Sequence, residues 1–250
     1  MNTNKIYSEN IDGFKYDVIV PENVTNDTKI IVYSTSTDDT WNGYSNLKNE
    51  ILNNNIDAIM VIPTNGWLSS DDYSNGVINA VNKVKNNYGI KYDGYIGSGF
   101  SNPSINAVKA FTKYIDDNPN CDRQVLFLND AVPQTAVKDA SGNYHWYDTA
   151  ITDAEIATLE KNGTFIVDYC RPGTFGNVGD RLLNSNVDIL FVCDDNLPSG
   201  NWNTQHSYIN NKAYGRNGLY SHVIDFIYED GQLPKGYSYY VYDHETKKIN

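Results

Sequence analysis

Positive charge is scarce in this chain. Nineteen lysines and arginines stand against 31 aspartates and glutamates, a formal net charge of -12 with histidine neutral, so the basic footprint needed for phosphate-backbone binding is missing. Nucleic acid and anionic membrane are therefore not expected partners. Cysteine is scarce as well. The three present, Cys121, Cys170 and Cys193, are odd in number, unclustered and set in apolar segments, so neither a disulfide framework nor a thiolate metal site is suggested and they read as core thiols. No apolar run approaches the ~20 residues of a membrane span. The start, MNTNKIYSENIDG, lacks the charged and apolar regions of a secretory signal, so export by the usual route is not expected and the location is read as cytoplasmic or virion-associated.

The chain does have apolar mass: 40% of its 250 residues are hydrophobic and 20% charged, enough for one large core and too much for wholesale disorder. Strand-length apolar runs alternate with helix-period segments, the signature of a parallel sheet with crossover helices. The expected strands are Lys29–Ser34, Ile56–Ile62, Asp93–Ser98, Gln124–Asn129, Thr164–Tyr169 and Val187–Cys193. Their continuous β-branched and aromatic character suits strands covered on both faces. Phe14–Val20 alternates better and reads as an antiparallel edge strand.

Capping residues from Ser69 to Asp72 followed by Val77, Val81, Val84 and Tyr88 predict a helix stopped by Gly89. Ile105, Val108, Phe111 and Ile115 predict a second, closed by Asn118 and Pro119. A third opens at Thr152 and ends at Asn162 and Gly163, and a shorter one lies near Asp180 to Asn184. The expected organisation is one α/β domain over residues 1–230, with a small cap over 133–150 and a tyrosine-rich, hairpin-like tail over 231–250.

The segment that carries chemistry is Gly99-Phe100-Ser101-Asn102-Pro103, directly after a predicted strand and before a predicted helix. A nucleophile elbow needs a strand-to-helix turn so tight that its serine stands above the sheet, with small residues around it. Gly97, Ser98 and Gly99 supply them, and the helix N-terminus under Ser101 favours developing negative charge. Other patterns carry less. Gly97-Ser98-Gly99 lacks the third glycine and the later acid of a dinucleotide turn, while Asp71-Asp72 and Asp116-Asp117 read as helix ends rather than metal ligands.

On these residues the sequence resembles the α/β-hydrolase superfamily from about Phe14 to Glu229, with GFSNP in place of G-x-S-x-G. The departure is Pro103. Proline suits a helix's first turn, where an N–H has no partner anyway. The resemblance implies a single mainly parallel sheet with helices on both faces, a serine nucleophile at Ser101, and an oxyanion hole from the Asn102 N–H with a second donor at Thr35 or Ser36. It implies a base after the last strong strand, which is His206, with His222 as the alternative; His145 falls in the cap and His244 in the tail. For the orienting acid, Asp130 after Gln124–Asn129 comes first and Asp194 second. The segment after Thr164–Tyr169, Cys170-Arg171-Pro172-Gly173, offers no acid, and Asp168 lies inside the strand.

The activity implied is a serine esterase-like hydrolase acting through an acyl-enzyme on a small-molecule or glycan ester, with no metal or organic cofactor. An ester on a bacterial surface glycan is suggested by Trp41, Tyr44, Trp67, Tyr144 and Trp146 in expected loops. The alternative is a non-catalytic protein that keeps this architecture for binding, such as a phage tail component with an assembly partner on the C-terminal tail. It draws on Pro103, on the lack of a His-Gly after the first parallel strand, on the absent acid after the penultimate strand and on the tyrosine-rich C-terminal GYSYYVYDHETKKIN; separately, a composition rich in Asn, Tyr, Ile and Lys resembles AT-rich coding in a low-GC bacterium or its phage.

Overall fold

A computed structural model describes residues 4–35, 48–49, 52, 57–64, 70–212, 223, 226–227, 231–246 and 248–249. Its strands are β1 (Lys5–Ile11), β2 (Phe14–Val20), β3 (Lys29–Ser34), β4 (Ala58–Pro63), β5 (Ile96–Phe100), β6 (Val125–Asn129), β7 (Thr135–Lys138), β8 (Tyr144–Tyr147), β9 (Phe165–Tyr169), β10 (Asp188–Asp194), β11 (Tyr237–Asp243) and β12 (Lys248–Ile249). The helices are α1 (Ser70–Tyr88), α2 (Ser104–Asp117), α3 (Asp153–Asn162), α4 (Asp180–Leu183) and α5 (Trp202–Lys212).

Ten strands form one sheet in the order β1-β2-β4-β3-β5-β6-β9-β10-β11-β12. The six from β4 to β10 run parallel, while β1, β2, β11 and β12 join antiparallel at the flanks. Successive side chains point to opposite faces, and both faces are covered. Ile30, Val32, Ile59, Val61 and Leu126 pack against Val77 and Val81 of α1, Phe111 of α2 and Leu159 of α3. Ile31, Tyr33, Met60, Ile62 and Phe127 face the other side, with Ile209 of α5 and Val223. Each such fully buried side chain stabilises the fold by ~1.5–3 kcal/mol. Among the described residues, no helix is long and apolar enough to cross a membrane.

Helix boundaries follow local chemistry. Thr152 and Glu155 form a reciprocal capping box at the start of α3, and Gly163 closes that helix with φ 68. Asp71 and Asp72 lie in the first turn of α1 and Lys85 in its last, each complementing the helix dipole.

Three details differ from the sequence-based expectation. Phe14–Val20 is antiparallel but not at the edge, because β1 pairs along its whole length outside it. The serine-bearing strand runs to Phe100 rather than stopping at Ser98. His206 lies within helix α5 instead of preceding it. The segment expected as a cap contains the two-stranded β7–β8 sheet, and the tyrosine-rich tail supplies β11 and β12.

Candidate active site

The site begins where β5 passes into α2. Hydrogen-bonded pairing sets Ser34 against Gly99 on one side of β5, and Phe100 against Asn129 on the other. The next residue, Ser101, reverses the chain with φ 52, a left-handed conformation that costs a non-glycine residue roughly 1–2 kcal/mol. The surrounding backbone enforces it. The Ser101 N–H donates to Asn129 O at 3.1 Å, while its carbonyl accepts the N–H groups of Ser104 at 3.2 Å and Val132 at 3.1 Å.

Gly99 is required by the same turn, since a Cβ there would fall 2.6 Å from Ser104 Cα. Pro103 precedes α2 with φ -53 and ψ -14, values the pyrrolidine ring prefers. Its carbonyl accepts the Ala107 N–H at 3.2 Å. The proline therefore enters the helix without breaking it. The Asn102 side chain donates to Val132 O at 3.3 Å and Gln134 O at 3.0 Å, tying the elbow to the segment after β6.

That segment holds the second functional group. Asp130 follows β6 directly, with φ 42, and its N–H donates to Tyr169 O at 2.7 Å. Its carboxyl is buried, and one oxygen, Oδ2, meets both His206 Nδ1 at 2.5 Å and Arg171 Nε at 2.8 Å. Burial pushes this carboxyl up, but the bonds from His206 and Arg171 outweigh it, and Asp130 is held below the ordinary carboxylate range.

His206 comes from α5 and is itself buried. Its ring lies between Phe100, at a centroid separation of 4.3 Å, and Trp202, also at 4.3 Å and stacked at 24°. Trp202 is one helical turn before His206, so the two share a face. The Arg171 guanidinium stands 5.7 Å over the same indole. Through Phe100 the imidazole packs on the residue immediately before Ser101. With Nδ1 occupied by Asp130, Nε2 is the nitrogen left for proton transfer.

The chain thus brings Asp130 and His206 into direct contact, beside a strained serine turn. Thr35 follows β3 next to the elbow, and its Oγ1 is buried without a hydrogen-bond partner among the described residues. Ser36, His222, Trp41, Tyr44 and Trp67 lie outside the described residues, as does the side chain of Trp146. Asp194 turns elsewhere. Its Oδ2 accepts from the hydroxyls of Tyr169 at 3.1 Å and Tyr208 at 3.2 Å, and its Oδ1 from Asn196 N–H at 2.8 Å. Exposed His145 pairs with Asp139 at 2.9 Å, and the His244 ring lies 5.3 Å from that of Tyr242.

Sequence reasoning missed Arg171, Phe100 and Trp202. Two signals were available, the place of Phe100 directly before Ser101 and the i, i+4 spacing of Trp202 and His206; Arg171 reaches the site from the segment after β9, the neighbour of β6 in the sheet.

The strand order has two antiparallel strands leading into a crossed parallel sheet, with a serine of positive φ at the end of its central strand. The fold is that of the α/β-hydrolases. Solved structures agree. Est1E from Butyrivibrio proteoclasticus superposes with a TM-score of 0.52 at 9% identity, covering 83% of this chain and 95% of that one. A thermostable esterase from Pseudomonas putida ECU1011 gives 0.52 at 13% identity, covering 87% and 81%. No protein-family model and no curated protein matches the sequence. The α/β-hydrolase fold presents its chemistry at the carboxyl ends of the strands, in the chain order serine, acid, histidine. Ser101, Asp130 and His206 stand in that order.

Proposed function

We propose that this chain is a serine hydrolase of the esterase kind. The observation that carries the reading is the 2.5 Å contact of His206 Nδ1 with buried Asp130, on an imidazole packed against the residue that precedes the strained Ser101. Ser101 Oγ attacks the ester carbonyl as His206 Nε2 takes its proton, and Asp130 holds the Nδ1–H and the ring orientation. The carbonyl oxygen becomes an oxyanion, stabilised by the Asn102 N–H with Thr35 beside it. Collapse returns the carbonyl, and the leaving alcohol departs with the proton from His206. Water then repeats the sequence on the acyl-enzyme, giving the carboxylic acid and free Ser101.

The net charge of -12 disfavours polyanionic substrates, which fits an uncharged ester. The finer reading, an ester on a bacterial surface glycan, draws on the aromatics expected in loops; Tyr144 and Trp146 lie instead on strand β8, where pairing with β7 extends the backbone, and Tyr144 is 62% exposed there. The test is covalent labelling by a fluorophosphonate, with hydrolysis of p-nitrophenyl acetate and of acetylated glycans alongside. Labelling that disappears in Ser101→Ala supports the hydrolase. An unlabelled, folded wild type rejects it and favours a binding role for the fold.

A further inference from the structure

Behind Asp130 lies a second carboxyl that acyl transfer does not use. Asp168 is the only ionisable residue of β9 other than the tyrosine that ends it, in a run of Phe, Ile, Val and Tyr, and it is fully buried opposite Leu128 of β6. Its Oδ1 lies 3.5 Å from the Ala131 N–H, so its carboxyl rests against the Asp130–Ala131 peptide. Its Oδ2 is buried with no hydrogen-bond partner among the described residues.

Asp130 has the matching deficiency. Both donors that reach it, from His206 and Arg171, converge on Oδ2, and Oδ1 is buried and unpartnered among the described residues. A buried carboxylate oxygen without a donor is costly, and so is an unpaired buried hydroxyl. Two adjacent buried carboxylates cannot both stay ionised. One proton removes all three penalties.

We propose that Asp168 is a protonated positioning residue whose carboxyl donates a hydrogen bond to the free Oδ1 of Asp130, so that the two carboxyls share one proton and one negative charge. The proposal rests on the reading of Asp130 as the partner of a catalytic His206. It places the proton on Asp168 because Arg171 and His206 both favour the charged form of Asp130. Burial first, and then the Asp130 charge, push Asp168 up to about 7, offset in part by the Ala131 N–H, the Cys170 side chain and Arg171. The titratable groups around the pair are Asp130 and Arg171 from the segments after β6 and β9, Cys170 on its own strand end, Cys193 of β10 against Cys170, and His206 of α5 beyond Asp130. Once the shared proton is lost, Oδ1 loses its donor and gains a repelling neighbour, and the acid no longer holds the imidazole firmly.

Asp168→Asn and Asp168→Leu, compared with wild type, test this. The asparagine keeps a donor that does not titrate. It should retain kcat on p-nitrophenyl acetate within about threefold and lack the wild-type fall in kcat above pH about 7. The leucine should lose at least about tenfold at every pH. Two readouts need no turnover. The wild-type infrared spectrum should contain a protonated-carboxyl C=O stretch at pH 6 that fades above neutrality and is absent from Asp168→Asn. A folded pKa above the ordinary carboxyl value also means that the Asp168 contribution to stability is greatest in acid and falls as pH rises towards 7, so the melting temperature of Asp168→Asn should gain on wild type from pH 4.5 to pH 8.

Equal kcat profiles for the two variants, a wild type without the infrared band, or a melting difference independent of pH would overturn the proposal. If wild type neither turns over ester nor takes the fluorophosphonate, the esterase reading fails instead, and the infrared and melting results still decide where the proton lies. The wild-type spectrum decides this even if a variant does not fold.

Discussion

Two adjacent strands of this sheet, β5 and β6, end in the same way and to opposite purposes. Each passes directly into a non-glycine residue of positive φ, Ser101 at 52° and Asp130 at 42°. Each of these residues donates its N–H to the last residue of the next strand along, Asn129 for Ser101 and Tyr169 for Asp130. Ser101 is left half-buried with its side chain open to a partner, whereas Asp130 is 1% exposed and bound by His206 and Arg171. The backbone device lifts a side chain off the strand end, and what packs around it decides how far that side chain is buried. A third positive φ, Asp12 at 50° followed by Gly13 at 91°, occurs in the β1–β2 hairpin. There the strain has only a turn to form, as Asp-Gly hairpins commonly do.

The largest break in this comparison comes at the buried end. Asp130→Asn keeps the shape and removes the charge, and kcat should drop on the order of 10⁴-fold, as when a triad acid loses control of the imidazole tautomer. Its stability signature has a definite sign. Because Asp130 is held below its ordinary value in the folded state, its contribution is present above the unfolded carboxyl pKa and disappears as pH falls through the folded one. The melting gap between wild type and Asp130→Asn should therefore close in acid.

A smaller effect is expected where the elbow meets its helix. Gly99→Ala forces Cβ into the α2 backbone at 2.6 Å, and urea unfolding should register a loss of ~1–3 kcal/mol, with slower labelling of Ser101. Ser101→Gly separates strain from chemistry: it should abolish turnover and raise stability by ~1 kcal/mol, since glycine adopts positive φ freely. Asp130→Gly should lower both. A destabilised Ser101→Gly would mean that the turn at β5 is not under strain. The smallest change is Pro103→Gly, which restores the usual motif. Activity should hold or rise, and stability should fall by ~0.4–1 kcal/mol through the freer unfolded chain. A large loss of hydrolysis in that folded variant would show that the ring itself shapes the site.

Most of the sheet was legible in the sequence because its strands are buried on both faces and read as unbroken apolar runs; β3 matches its expected bounds residue for residue. Strand β1 was not, since KIYSENI is half polar and owes its place to pairing with β2. The end of β5 was misplaced because Gly97 and Gly99 resemble a turn. In the fold they are strand residues whose missing side chains make room for Phe111 and Ser104. Helix α5 has a polar sequence, WNTQHSYINNK, with no clear apolar stripe, so the placement of His206 inside it followed from tertiary packing. His206 was suggested by element order and Asp130 by its place beside the serine-bearing strand. Arg171, which no local pattern points to, reaches Asp130 from the segment just past the carboxyl end of β9, the strand beside β6.

Strand β11 bears on how the molecule can be made. Every parallel strand, from β3 to β10, precedes it in the chain, so during synthesis the sheet can assemble while the outer side of β10 still lacks a neighbour. An uncovered strand edge invites pairing with other chains. The exposure lasts until Tyr237–Asp243 emerges and lies antiparallel along Leu190–Asp194. Tyr237–Asp243 thus acts as the closing seam along β10, joining a sheet whose parallel strands all precede it.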